Sequence, residues 1–191
     1  MKLILLDAGH GWISDNKYDP GAVNGEYKEA EIANQYVNSI RFYLKQYKNE
    51  ENKTIYKILQ TEKQTVLERR RYAEQINPDC FVSVHLNASY DKNKKGYEVW
   101  YRYNYDFSKS IYTKMHEVMK NYSLGRGIRR DLDYGRRLGI LATKISIPTC
   151  LIEVGFISND SELQWLLKRE TRILISKAIA EGIHDYLKSK I

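Results

Sequence analysis

Lys2-Leu3-Ile4-Leu5-Leu6-Asp7-Ala8-Gly9-His10-Gly11 is the stretch that decides the fold. Its apolar run, Leu3 to Leu6, breaks off at Asp7 into a histidine flanked by glycines. An apolar run without polar alternation predicts a central strand covered on both faces. The glycines beside His10 let the backbone turn there without a side-chain clash. His10 is therefore expected at a strand end, where open α/β sheets gather ligands and catalytic groups, because the sheet supplies rigidity and the loops supply access. A Gly-His-Gly alone is equally compatible with a turn histidine that has no task.

The same arrangement recurs further along. Cys80-Phe81-Val82-Ser83-Val84 reads as another strand, and it too delivers a histidine, His85, into a small polar turn, Leu86-Asn87-Ala88-Ser89. The repetition favours a site shared by the two histidines. Pro148 to Asn159 adds a strand with an acid inside it: Glu153 stands among Leu151, Ile152, Val154 and Phe156. Burying a carboxylate there is costly unless it is paired or has work to do, which makes Glu153 a functional candidate.

Between these strands the chain alternates with helices. After a polar loop, Ile13 to Tyr27, containing the turn Asp19-Pro20-Gly21-Ala22, a helix is predicted from Glu29 to about Tyr47, with Ile32, Tyr36, Ile40 and Tyr43 or Leu44 inward. Glu29 falls on the inward stripe at the helix start, as a first-turn acid favoured by the helix dipole or as a buried ligand; Glu26 competes for the same role. Thr54 to Leu59 reads as a strand beyond a charged linker, Lys48 to Lys53. A helix follows over Thr65 to Ile76, with Val66, Leu67, Ala73 and Ile76 inward and Arg69-Arg70-Arg71 as a solvated face, ended by Asn77-Pro78. Gly96 to Arg102 is expected as a strand. Asp106 to Tyr122 is expected as a helix with Ile111, Met115, Val118 and Tyr122 inward, and His116 at the surface or core edge. Gly125 to Gly139, rich in arginine and glycine, reads as a loop or hairpin, either solvated or offering guanidinium groups to carboxylates near the site. The closing helices, Asp160 to Lys168 and Arg172 to Lys188, pack through Ile175, Ile179, Ile183 and Tyr186 or Leu187, with His184 exposed.

Length and composition bound the rest. A chain of 191 residues fits one well-buried core, so residues 1–191 are expected to form a single domain. Its 31 basic and 24 acidic residues give a net charge of +7, which favours anionic partners such as nucleic acid, an anionic membrane surface or a polyanionic bacterial wall. The 16 tyrosines fall mainly at helix and strand periods, where packing uses them. Cys80 and Cys150 lie in apolar runs and are expected reduced and buried. Neither a signal-peptide pattern nor a run of membrane-spanning length is present, so the chain is expected to be made in the cytoplasm and released or exported by other means.

Four pieces, taken together and in order, resemble the zinc-dependent N-acetylmuramoyl-L-alanine amidases of the Amidase_3 type. They are Leu6 to Ala22 with its Leu-Asp-Ala-Gly-His-Gly and Asp-Pro-Gly-Ala, the helix-start Glu29, Val82 to Ala88, and Leu151 to Asn159. The resemblance spans essentially the whole chain. It implies that His10, Glu29 and His85 bind Zn²⁺ and that Glu153 is catalytic. Glu29 is preferred to Glu26 because the family's apolar position three residues on is Ile32 here. Ala8 stands where the family often has proline and Ala33 where it often has asparagine; neither is a ligand position. Two histidines and a carboxylate leave a tetrahedral zinc one open position for water, the form of a catalytic site.

The fold implied by both routes is a three-layer α/β sandwich, a mostly parallel sheet of about six strands between helices, with some strands antiparallel at an edge. The function implied is hydrolysis of the amide between the lactyl group of N-acetylmuramic acid and L-alanine of the stem peptide, in phage or prophage lysis of a host wall. A bacterial autolysin or sporulation amidase of the same chemistry, or a non-catalytic wall-binding module, is the alternative. Peptidoglycan is the expected partner, with anionic wall polymers attracted to the basic surface and no role for nucleic acid or membrane insertion. A nucleic-acid binder would leave the strand-end histidines and Glu153 unexplained.

Overall fold

The computed structural model of the chain describes residues 1–62 and 64–190. In chain order its elements are β1 (Lys2–Ala8), β2 (Gly11–Ser14), β3 (Lys17–Asp19), β4 (Val23–Asn24), β5 (Tyr27–Lys28), α1 (Glu29–Leu44), β6 (Tyr56–Gln60) and α2 (Val66–Ile76). There follow β7 (Cys80–Asn87), β8 (Tyr97–Tyr101), α3 (Tyr105–Met119), β9 (Gly125–Arg130), β10 (Thr149–Phe156), α4 (Asp160–Leu167) and α5 (Arg169–Lys188). Short 3-10 turns occupy Asp131–Tyr134 and Gly139–Leu141.

Six strands form one sheet in the order β6-β1-β7-β10-β8-β9. The first four run parallel; β8 is antiparallel to β10, and β9 runs parallel to β8, so the last two strands reverse direction as a pair. The apolar run of β1 serves both faces, as a strand in mid-sheet must. Leu5 joins Phe81, Leu151, Trp100, Ala73, Ile140 and Leu141 on the α2 side, while Ile4 and Leu6 pack with residues of α1, α3 and α5 on the other. Cys80 and Cys150 are free thiols buried in that second cluster. The expected three-layer α/β arrangement, mostly parallel with antiparallel pairing toward one edge, is the one found.

Periodicity located the helices better than it located their faces. In α1 the inward residues are Ile32, Tyr36, Ile40 and Leu44, and the Tyr36 hydroxyl donates to the Leu166 carbonyl at 3.0 Å. In α5 they are Ile175, Ile179, Ile183 and Leu187. Gly182 lets α5 lie against α3, because a Cβ there would sit 2.6 Å from the Ile111 Cα. In α3 the stripe is Phe107, Ile111, Met115 and Met119; Tyr122 lies beyond the helix, 66% exposed, and stacks on Trp165. The face expected for α2 is corrected outright. Val66 and Leu67 are exposed, whereas Arg69 is buried beside Ala73. A short helix bearing three successive arginines has no apolar stripe clear enough to orient it, and an ion pair beneath the helix settles which side turns in.

Three further readings are revised. The loop Ile13 to Tyr27 folds into two small hairpins, β2 with β3 and β4 with β5, whose strands are too short to show alternation. Gly125 to Arg130 is an edge strand rather than a loop or hairpin; it carries almost no apolar residues because only one flank is paired. His184 is not exposed: it stacks on Tyr47 with ring centroids 3.9 Å apart, and its Nδ1 lies 2.7 Å from the Tyr56 hydroxyl. His116 is solvent-facing, with its Nδ1 2.8 Å from the Tyr97 hydroxyl.

Candidate active site

β1 and β7 lie side by side in mid-sheet, and their exits set the site. Asp7 is in register with Ser83, and the ladder continues one step further through Gly9 N–H to the Val84 carbonyl at 2.8 Å. Past that point the chain turns sharply at His10, whose φ of 61° is left-handed, and at Gly11, with φ of 91°. A left-handed backbone is uncommon for a residue with a Cβ and must be held by its surroundings. Here Arg69 holds it. Its guanidinium donates from Nη2 to the His10 carbonyl and from Nη1 to the Ala8 carbonyl at 2.7 Å, and pairs with Asp7 at 3.0 Å. Asp7, 1% exposed, also accepts from the Thr61 and Ser83 hydroxyls at 2.5 Å each.

The hairpins then return the chain over His10. Asp19 Oδ2 lies 2.7 Å from His10 Nδ1, which orients the imidazole and leaves its Nε2 facing Glu29 Oε2 at 3.2 Å. Glu29, at the first position of α1 and 4% exposed, points back toward the strand ends. Its Oε1 is 2.9 Å from His85 Nδ1 and accepts from Leu86 N–H at 3.1 Å, while Oε2 accepts from Ala22 N–H at 3.0 Å. The rings of His10 and His85 stand edge to face, 5.1 Å apart. One donor atom from each of His10, Glu29 and His85 lies within 4.8 Å of the others. Glu26, the competing acid, is exposed in the neighbouring turn.

Two glycines make room for this cluster. At Gly9 a Cβ would come within 2.4 Å of the His85 ring, and at Gly21, φ 69°, within 2.6 Å of the His10 ring. Gly9 is thus required for space, not for its backbone angle. Gly9→Ala is expected to cost about 1–3 kcal/mol of stability by overpacking, read from the urea midpoint, and to displace His85.

The charges of the cluster are mutually adjusted. Burial alone would raise the Glu29 pKa, but hydrogen bonds and charge from His10 and His85 hold it well below the usual carboxylate range. Burial works against a charged His10, yet Glu29 and Asp19 outweigh it and lift the imidazole to about 9; His85 is raised in the same way, chiefly by Glu29. A carboxylate kept ionised between two imidazoles draws protons to the place a cation would fill.

Glu153 belongs to the same neighbourhood but not to that cluster. It is in register with His85 on β7 and with Glu98 on β8. Its Oε2 is buried and has no hydrogen-bond partner among the described residues. Desolvation pushes its pKa up to about 7, with His85 opposing and the charges of Glu29 and Glu98 adding to the rise. The structure therefore brings His10, Glu29 and His85 together and sets Glu153 beside them. Sequence reasoning misses Asp19, Arg69 and Glu98 as contributors; Asp19 is marked in the sequence only as part of a turn, and nothing local marks the other two.

Known proteins resemble this chain over nearly its whole length. The chain is 27% identical over 208 residues to a germination-specific N-acetylmuramoyl-L-alanine amidase of Bacillus subtilis (strain 168), covering 99% of this chain and 81% of that protein. It is 29% identical over 199 residues to an endolysin of Bacillus phage SPP1, covering 99% of this chain and 67% of the endolysin. Its fold superposes on the catalytic domain of CwlV, an N-acetylmuramoyl-L-alanine amidase from Bacillus (Paenibacillus) polymyxa var. colistinus, with a TM-score of 0.83 at 25% identity over 98% of this chain and 99% of that one. The model of the Amidase_3 family, described as N-acetylmuramoyl-L-alanine amidase, matches residues 4–185, and the chain belongs to that family.

Proposed function

We propose that this peptidoglycan amidase holds a zinc ion with His10, Glu29 and His85, uses Glu153 as its general acid and base, and cleaves the amide between the N-acetylmuramic acid lactyl group and L-alanine of the stem peptide. The observation that carries the reading is the convergence of three donor atoms within 4.8 Å beside a carboxylate whose buried Oε2 has no hydrogen-bond partner among the described residues. The donor set fits zinc, since two imidazoles and one carboxylate are typical catalytic ligands. Asp19 supplies the outer carboxylate that such a histidine uses to fix its tautomer. When bound, zinc polarises the scissile carbonyl and lowers the pKa of water from 15.7 toward ~7.

The rest is the work of the chain. Gly9, Gly21 and Arg69 fix the positions of His85 and His10. Glu153 takes a proton from the attacking water on its unpartnered Oε2 and passes it to the departing alanine nitrogen. Its raised pKa suits both halves of that task, because a carboxyl group near neutrality accepts and returns a proton at little cost. Residues 1–191 are read as one catalytic domain. The setting we favour is phage or prophage lysis, with autolysis or sporulation as the alternative. The net charge of +7 would draw the enzyme to anionic wall polymers rather than to nucleic acid. No helix among the described residues is long and apolar enough to cross a membrane.

Digestion of purified peptidoglycan tests the activity. New amino-terminal L-alanine should appear with no new reducing sugar ends, should vanish on chelation and should return with zinc. Walls left intact with zinc present would defeat the assignment.

A further inference from the structure

Beside Glu153 lies a basic groove that the metal cluster does not explain. Glu98, opposite Glu153 on β8 and 2% exposed, accepts hydrogen bonds from Asn87 Nδ2 at 2.8 Å, Trp100 Nε1 at 3.0 Å and Arg126 Nε at 2.9 Å, and pairs with Arg129 Nε at 3.1 Å. One buried carboxylate thus clamps two guanidinium groups on the edge strand β9. A third, Arg136, lies over the Trp100 ring at 5.3 Å, with Arg129 over the same ring at 5.7 Å and over Tyr134 at 4.9 Å. Among the described residues the Arg136 guanidinium has no carboxylate partner.

Three guanidinium groups and one buried carboxylate leave surplus positive charge in a cleft of about 660 Å³. Lys92 and Lys94 on its wall add to that surplus. Like charges gathered around shared aromatic rings repel one another unless an anion enters between them. Arg136 is also close enough to Glu153 for its charge to favour the ionised carboxylate, which places the groove next to the reacting centre. The guanidinium fork matches a carboxylate in two parallel hydrogen bonds, and stem peptides carry free carboxylates.

We propose that this groove is the subsite for the stem peptide on the amine side of the scissile bond, and that Arg136 reads a free carboxylate of that peptide while Glu98 holds Arg126 and Arg129 in place. The inference rests on the amidase reading for the identity of the occupant. Its test therefore measures binding of the product peptide without turnover. Calorimetry would compare a stem peptide with a free L-alanine amino terminus and free carboxylates against the same peptide with its carboxylates amidated.

The acid should bind the unmodified enzyme roughly tenfold more tightly than the amide, as a charge-assisted pair implies. Arg136→Ala should erase that preference by weakening the acid alone, and Arg136→Lys should keep part of it. The preference should also shrink as salt rises. Equal binding of both peptides by the unmodified enzyme, an undiminished preference in Arg136→Ala, or no binding of either peptide would overturn the proposal. Since Arg136 is exposed, a thermal melt of the variant should match the parent. A failed wall digestion would count against the amidase reading and leave this binding result to be judged separately.

Discussion

Glu153→Gln is expected to lower kcat on peptidoglycan by about 10²–10⁴-fold while leaving one equivalent of metal bound, the range that positioned acid–base groups contribute. Glutamine keeps the size of the side chain and removes only the capacity to carry a proton. Because Glu153 stands beside the three-residue cluster and not in it, metal content should be unchanged by elemental analysis. Glu29→Gln and His85→Ala should instead lose metal and activity together. Loss of stoichiometric zinc from Glu153→Gln would show that its carboxylate is a ligand. The pH profile adds a second reading of the same residue. A base must be ionised, so kcat/KM should fall as pH drops through its pKa, about 7 without the metal. A bound cation pulls that value down, as His85 already does, so the acidic limb should lie at or below pH 7.

Arg69→Met should destabilise the fold by ~3–5 kcal/mol, because it strands Asp7 as a buried charge without its countercharge. Both partners are almost fully buried, Arg69 at 5% and Asp7 at 1% exposure, and the Thr61 and Ser83 hydroxyls cannot replace a cation. Urea denaturation measures the loss. The double variant Arg69→Met with Asp7→Leu should recover much of it, since an apolar pair of similar volume often matches a buried ion pair. The double variant would still lack the donors to the Ala8 and His10 carbonyls, so His10 should remain poorly held and metal affinity reduced. A cost below about 1 kcal/mol for Arg69→Met would mean that the pair carries little of the fold.

These two sites mark the boundary between what was legible in the chain and what was not. The two histidines of the cluster are readable because each follows a strand and precedes a small-residue turn, a pattern that local sterics and burial impose. Glu153 is readable because an acid within an apolar strand has no bland explanation of comparable weight. Arg69 is not legible as an inward residue, since in a run of three arginines every helical face carries charge and only the position of Asp7 on another element decides which one turns in. Glu98 sits in an ordinary-looking strand, and its meaning depends on β9, an edge strand whose arginines and glycines carry no strand pattern.

The amino-acid sequence by itself determined the long helices and the central strands, the open α/β class, and His10, His85 and Glu153 as candidates, because periodicity, turn chemistry and the cost of burying a charge all act over short stretches; Glu29 was set apart from Glu26 only by the resemblance to the Amidase_3 amidases. Only the tertiary structure decided that Glu29 faces both imidazoles, that Asp7 and Arg69 lie under the His10 turn, and that Arg136, with no ion-pair partner among the described residues, lies near enough to Glu153 for its charge to act there. Those are contacts between segments distant in the chain, and their sign and geometry follow from how the sheet and its helices pack.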